Sequence, residues 1–175
     1  MVKNRRNRMI FCILAVISII SIGKFTLESI KRYPTAREVG LAEFSGVEDL
    51  YEVSDAAVMA CDNNGGIDYV FAKKDSRGWK RDHTAKTIYK KTSCSIHYFK
   101  TDHVNVIFIM PFFGNLSVPT DNYGNNFHCF QKTIFTESDG EQKEFTVKAW
   151  ALILKEIPED YGITFDGQQI PIFVP

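Results

Sequence analysis

Four histidines and three cysteines carry most of the reactive chemistry beyond residue 60: His83, His97, His103 and His128, with Cys61, Cys94 and Cys129. Imidazole and thiolate are the ligands of tetrahedral zinc sites. If "SCSIHYFK" and "HVNVIFIM" form a hairpin through Thr101 and Asp102, His97 and His103 come near each other, and His128 on a later strand would complete a set. Spacing argues the other way. Cys94 and His97 are three apart, and a regular strand points such residues to opposite faces. The chain has neither a C-x-x-C pair nor an H-E-x-x-H run. The reading is therefore of exposed or hydrogen-bonded strand histidines, with no metal or other cofactor.

Three cysteines beyond the first forty residues are an odd count, which favours free thiols over a disulfide framework. If a bridge forms, Cys94 with Cys129 is the preferred pair and Cys61 with Cys94 the next. Calcium fares no better. Counting from Asp62 in "DNNGGID", the fifth position is Gly66 and the twelfth is Lys73, where a helix-loop-helix site needs an oxygen ligand and a glutamate. That stretch and "DNYGNN" from Asp121 read as turns. Hydrolase logic finds no G-x-S-x-G elbow, and Ser93 and Ser95 lack a glycine turn to expose them. Glu159 and Asp160 follow Pro158 in a turn where solvated acids are ordinary. "NLS" at 115–117 matches a glycosylation acceptor, a pattern with weight only in a eukaryotic secretory route. The aromatics are plentiful at 13%. Phe112 and Phe113 in "PFFGN" and Trp79 in "DSRGWKR" are the candidates for a contact surface, against the alternative that they fold back over the core.

The elements that must position these residues are strands. "SCSIHYFK", "HVNVIFIM", "NFHCFQKTIFT", "EFTVKAWALILK", "YGITFDG" and "QIPIFV" are rich in β-branched and aromatic residues and are separated by short turn-forming stretches. "IDYVFAKK" and "KTIYKK" are further strand candidates. In "EFTVKAWALILK" one face carries Phe145, Val147, Ala149, Ala151 and Ile153, and the second half is apolar on both sides, so a central strand is expected. "HVNVIFIM" behaves alike. "NNGG" at 63–66 suits a tight hairpin that needs positive φ. Residues 46–52 carry a near-helical stripe and are expected as a brief helix, with a strand from about 56. Two prolines in residues 170–175 make that end an edge strand or tail.

Ahead of this body, "MVKNRRNRMIFCILAVISIISIGKF" places four cations before an apolar run. Met9 to Ile22 as a helix covers about 21 Å, and extension through Leu27 brings about 28 Å, close to the ~30 Å hydrocarbon core if Lys24 snorkels. Phe11 directly before Cys12 departs from a lipid-attachment pattern. The run lacks the A-x-A pattern of a cleaved signal, although cleavage near Gly23 stays as the alternative. The leading cations put the N-terminus in the cytoplasm. Residues 1–32 hold seven of the 21 Lys/Arg and one of the 21 Asp/Glu, so the rest carries 14 cations against 20 anions. An acidic body of that kind argues against nucleic acid as a partner.

These readings combine into a mainly β chain: an antiparallel β-sandwich, immunoglobulin-like or similar, behind one N-terminal transmembrane helix. Its expected parts are a basic cytoplasmic tail (1–8), a signal-anchor helix (9–27), a juxtamembrane linker (28–45) and an extracytoplasmic β domain (46–175). The expected partners are the lipid bilayer, through residues 9–27, and another envelope protein. The expected role is a binding or accessory module of the cell envelope. The alternative is a secreted or anchored enzyme or metal-binding protein with a histidine-centred site.

Overall fold

Strand β2 (Ala56–Asn63) is apolar at nearly every position, and both of its faces are covered. Ala56, Val58 and Ala60 face one cluster, and Ala57, Met59 and Cys61 face another. Such two-sided burial is what a continuous apolar run in a strand implies. The computed structural model describes residues 31–86, 94–111, 117–138 and 141–170. Among them no helix is long and apolar enough to cross a membrane. The tail at 1–8, the span expected at 9–27 and the cleavage position near Gly23 lie outside the described residues.

The described chain is mainly β and its pairings are antiparallel. Around β2, one sheet runs in the order β1-β2-β3-β4, with β1 at Val47–Val53, β3 at Gly66–Asp75 and β4 at Gly78–Lys86. A second runs β5-β6-β9-β8, with β5 at Ser95–Lys100, β6 at Asn105–Met110, β8 at His128–Ser138 and β9 at Glu141–Leu154. A third, smaller sheet runs β11-β10-β7, formed by Gln168–Ile170, Ile163–Phe165 and Thr120–Asp121.

One apolar cluster joins the first two sheets. Val58, Tyr69 and Phe71 from the first share it with Phe99, Val106, Phe108, Phe130 and Ala149 from the second. The Phe108 ring lies 4.8 Å from that of Tyr69 and 5.1 Å from that of Phe71. The expected faces of β9 hold: Val147, Ala149, Ala151 and Ile153 point into this cluster, and Trp150 packs on Phe165 at 5.8 Å on the other side. Likewise, Ile107 and Ile109 of β6 turn away from it and are covered by Ile163 with Tyr161 and Ile170 around them. The interior strands β6 and β9 are apolar on both faces because the third sheet covers the outer one.

The outer face of the first sheet is covered by α1 (Ala36–Leu41). Thr35 caps it, its hydroxyl accepting the Glu38 N–H at 3.3 Å, and Ala36, Val39 and Gly40 are buried. The stretch expected as linker, 28–45, thus includes a helix that packs on the sheet. At Gly40 an added Cβ would lie 2.6 Å from Val47 Cγ2 and 3.0 Å from Cys61 Sγ, so only glycine allows this approach.

The helix expected at 46–52 is strand β1. Its register shifts between Val47 and Asp49, a bulge that brings Val47 and Leu50 to the same face although they are three apart. That local fault imitates a helical period. The "NNGG" turn is as expected: Asn63 pairs with Gly66, and Asn64 and Gly65 have φ of 50° and 85°. Strand β4 has no counterpart among the expected strands, because as an edge strand it is mostly polar, "GWKRDHTAK". The expected strand at 86–91 falls almost wholly outside the described residues.

Candidate functional site

The three histidines grouped by sequence are set apart. His97 faces inward on the edge strand β5, opposite Phe108 of β6. His103 is exposed in the turn after β5, its N–H donating to the Thr101 hydroxyl at 3.3 Å. His128 begins β8, the opposite edge of that sheet. Among the described residues, no group of three or more His, Cys, Asp or Glu side chains is arranged to hold a metal.

Cys94 and Cys129 are not brought together either. Cys94 adjoins β5 and Cys129 lies on β8, with β6 and β9 between them. Three strand spacings amount to about 14 Å, against the roughly 5.5–6 Å between Cα atoms that a disulfide spans. Cys61, Cys94 and Cys129 are free thiols. Burial, with Asp68 and Glu48 adding to it, pushes the Cys61 thiol up to about 12, so it behaves as an inert core side chain. Trp79 does not form a contact surface: it is 2% exposed in the cluster under α1, and its backbone pairs with Tyr33 through two 2.8 Å hydrogen bonds. Phe112 and Phe113 lie outside the described residues.

Sequence reasoning lacked the partner of His97, which is His83. It stands on β4, the edge of the first sheet, and the two rings approach to 5.9 Å between centroids at 29°. His83 stacks on Phe71 at 4.1 Å and 9°, and Phe99 meets it edge-on at 5.7 Å. Each imidazole has one nitrogen engaged. His83 Nδ1 lies 2.8 Å from Asp82 Oδ2, and His97 Nε2 lies 2.7 Å from Ser95 Oγ. Asp82 is the extra residue of a bulge, since Phe71 pairs with His83 and Ala72 with Arg81. Its second oxygen takes an ion pair from Lys73. The His83 hydrogen bond, with help from Lys73 and against the effect of burial, lowers Asp82 to about 2. Burial first, then the neighbouring His83, lowers His97 below its ordinary 6.5 and favours neutral imidazole.

The seam on the opposite side, between β1 and β8, has its own polar closure. Tyr51 stacks on His128 at 4.7 Å with rings parallel to within 1°. His128 Nε2 lies 2.9 Å from Asp49 Oδ2. Farther along, the Lys132 ammonium donates to Glu48 at 2.6 Å, Asp62 at 2.8 Å and the Gly66 carbonyl at 3.1 Å. Burial opposes its charge, but these acceptors win and raise its pKa. A further link joins the β1–β2 and β5–β6 turns, where the buried Thr101 hydroxyl donates to buried Asp55 at 2.6 Å.

Beside that link is a cleft of about 240 Å³ lined by Lys73, Lys74, Lys80 and Lys100 together with Asp55, Asp75 and Asp102. Its charges are largely matched within the fold: Lys80 lies 3.5 Å from Asp75, Lys73 pairs with Asp82, and Lys74 stands 5.8 Å over the Trp79 ring. The "DNYGNN" stretch is a turn, as expected. Desolvation would raise Asp121, but Tyr161 donates to its carboxylate at 2.7 Å and the Asn125 side chain at 2.7 Å, and the net direction is downward. The Tyr123 and Asn125 N–H groups occupy its other oxygen at 3.1 and 2.8 Å.

The missed residues left one readable trace. A "DSRG" hairpin turn after β3 obliges the next residues to pair back on it, which places 78–86 in a strand whatever its charge. Compared with known proteins, the chain matches no family model, no curated protein and no solved structure.

Proposed function

We propose that the chain is a single-pass membrane-anchored protein whose extracytoplasmic part, a β-sandwich of immunoglobulin-like or similar kind, serves as a binding or accessory module of the cell envelope. The observation that carries this reading is how the polar side chains are used. Asp49, His128, Lys132, Asp55, Thr101 and Asp82 are each engaged in contacts that tie strands or turns of the body to one another. Groups so committed stiffen a scaffold; they are poorly placed to exchange protons with a substrate. The basic flank and the apolar run at 9–27 support the anchor and its orientation. Protease protection on sealed membranes, followed by mass measurement of the chain, tests it. The expected result is an unprocessed N-terminus and a body reached only from outside. A chain beginning near Lys24 would replace the anchored form with a secreted one.

A second reading, an enzyme or metal-binding protein with a histidine-centred site, rests on the approach of His83 and His97 with Asp82 and Ser95 beside them. A carboxylate behind one imidazole is the usual way to orient a ligand or a base. Zinc titration of the full chain by calorimetry checks it, and the absence of heat would remove the metal form of that reading.

A further inference from the structure

Strands β4 and β5 end the two large sheets and belong to different ladders. Their edges meet through rings: His83 against His97 at 5.9 Å, and His83 against Phe99 at 5.7 Å. The His83 ring lies flat on Phe71, and the His97 ring is tilted against Phe108 at 6.1 Å. Two imidazolium ions 5.9 Å apart in a half-buried site would repel each other. Their surroundings are unequal. Among the described residues, β4 offers His83 the Asp82 carboxylate, which β3 already engages through Lys73. His97 has the neutral Ser95 hydroxyl from its own strand, Phe71 from β3 and Phe108 from β6. Among the described residues, a proton on His97 therefore has no counter-charge beside it.

We propose that the His83–His97 stack is an acid-sensitive latch between the two sheets, and that protonation of His97 parts β4 from β5 and uncovers Phe71, Phe99 and Phe108. The opposite seam, between β1 and β8, is held by other contacts: Tyr51 on His128, His128 with Asp49, and Lys132 with Glu48. Opening is thus confined to one side of the body. Burial, then His83, holds His97 below its ordinary 6.5. The folded chain then binds fewer protons there than the unfolded chain, so this stability is complete above pH 6.5 and is lost as pH falls through the folded value.

Hydrogen exchange of the full chain in detergent micelles at about pH 7.5 and about pH 5, corrected for intrinsic rates, tests the latch. The expected result is a loss of protection in β4 and β5 at the lower pH, with β1 and β8 unchanged. His97→Gln and His97→Phe, the second keeping a flat ring, are each expected to abolish the acid increment. Unchanged protection in β4 and β5, equal loosening at β1 and β8, or an increment that persists in both variants would overturn the proposal.

Discussion

Replacing Phe108 by alanine removes the ring at the centre of the contact between the two large sheets. Phe108 is fully buried, and its ring lies 4.8 Å from Tyr69, 5.1 Å from Phe71, 6.1 Å from His97 and 6.3 Å from Phe130. Two of these partners, Tyr69 and Phe71, come from the first sheet and two, His97 and Phe130, from the second, so the space cannot close by collapse of one sheet alone. Substitutions of this kind cost about 3–5 kcal/mol, the transfer of the ring plus the cavity left behind. That is a large part of the roughly 5–15 kcal/mol that separates a folded domain from its unfolded chain. At roughly 2–4 °C per kcal/mol for a chain of this size, Tm should fall by about 10 °C. Thermal unfolding of the full chain in detergent, followed by near-ultraviolet circular dichroism, reads the shift. Phe135→Ala serves as the control: that side chain is 60% exposed and should change stability by no more than about 0.5 kcal/mol. A Tm drop below about 3 °C for Phe108→Ala would refute the shared interior of the two sheets.

Gly40→Ala should destabilise by about 1–3 kcal/mol, because its Cβ meets Val47 at 2.6 Å and α1 must lift from the sheet; chemical denaturation measures it. Lys132→Gln should lower stability by the same assay, since the Glu48 and Asp62 carboxylates lose their shared cation. Thiol counting after denaturation should give all four cysteines with or without reductant. A lower count without reductant would contradict the free Cys94 and Cys129.

The interior strands were readable because two-sided burial writes itself into the chain. β6 and β9 alternate toward the central cluster and add apolar residues where the small sheet covers them. The turn at Asn64 and Gly65 was readable because few residue types accept its positive φ. The edges were not. β1 has a bulge that gives it a helical period, and β4 lacks apolar alternation because, among the described residues, one of its sides has no strand to pair with. The His83–His97 contact joins the edges of two different ladders, so no local spacing encodes it. Grouping His97 with His103 followed the chain through one hairpin, whereas the neighbour that matters comes from the other sheet.

The central claim, a folded β body held outside the membrane by residues 9–27, is tested most directly by labelling intact cells with a membrane-impermeant maleimide. Cys94 and Cys129 are exposed and Cys61 is buried in the body. The account predicts that Cys94 and Cys129 are labelled before the cells are broken, and that Cys61 reacts only after denaturation. Labelling of Cys94 and Cys129 only after lysis would place the body on the other side and contradict the account.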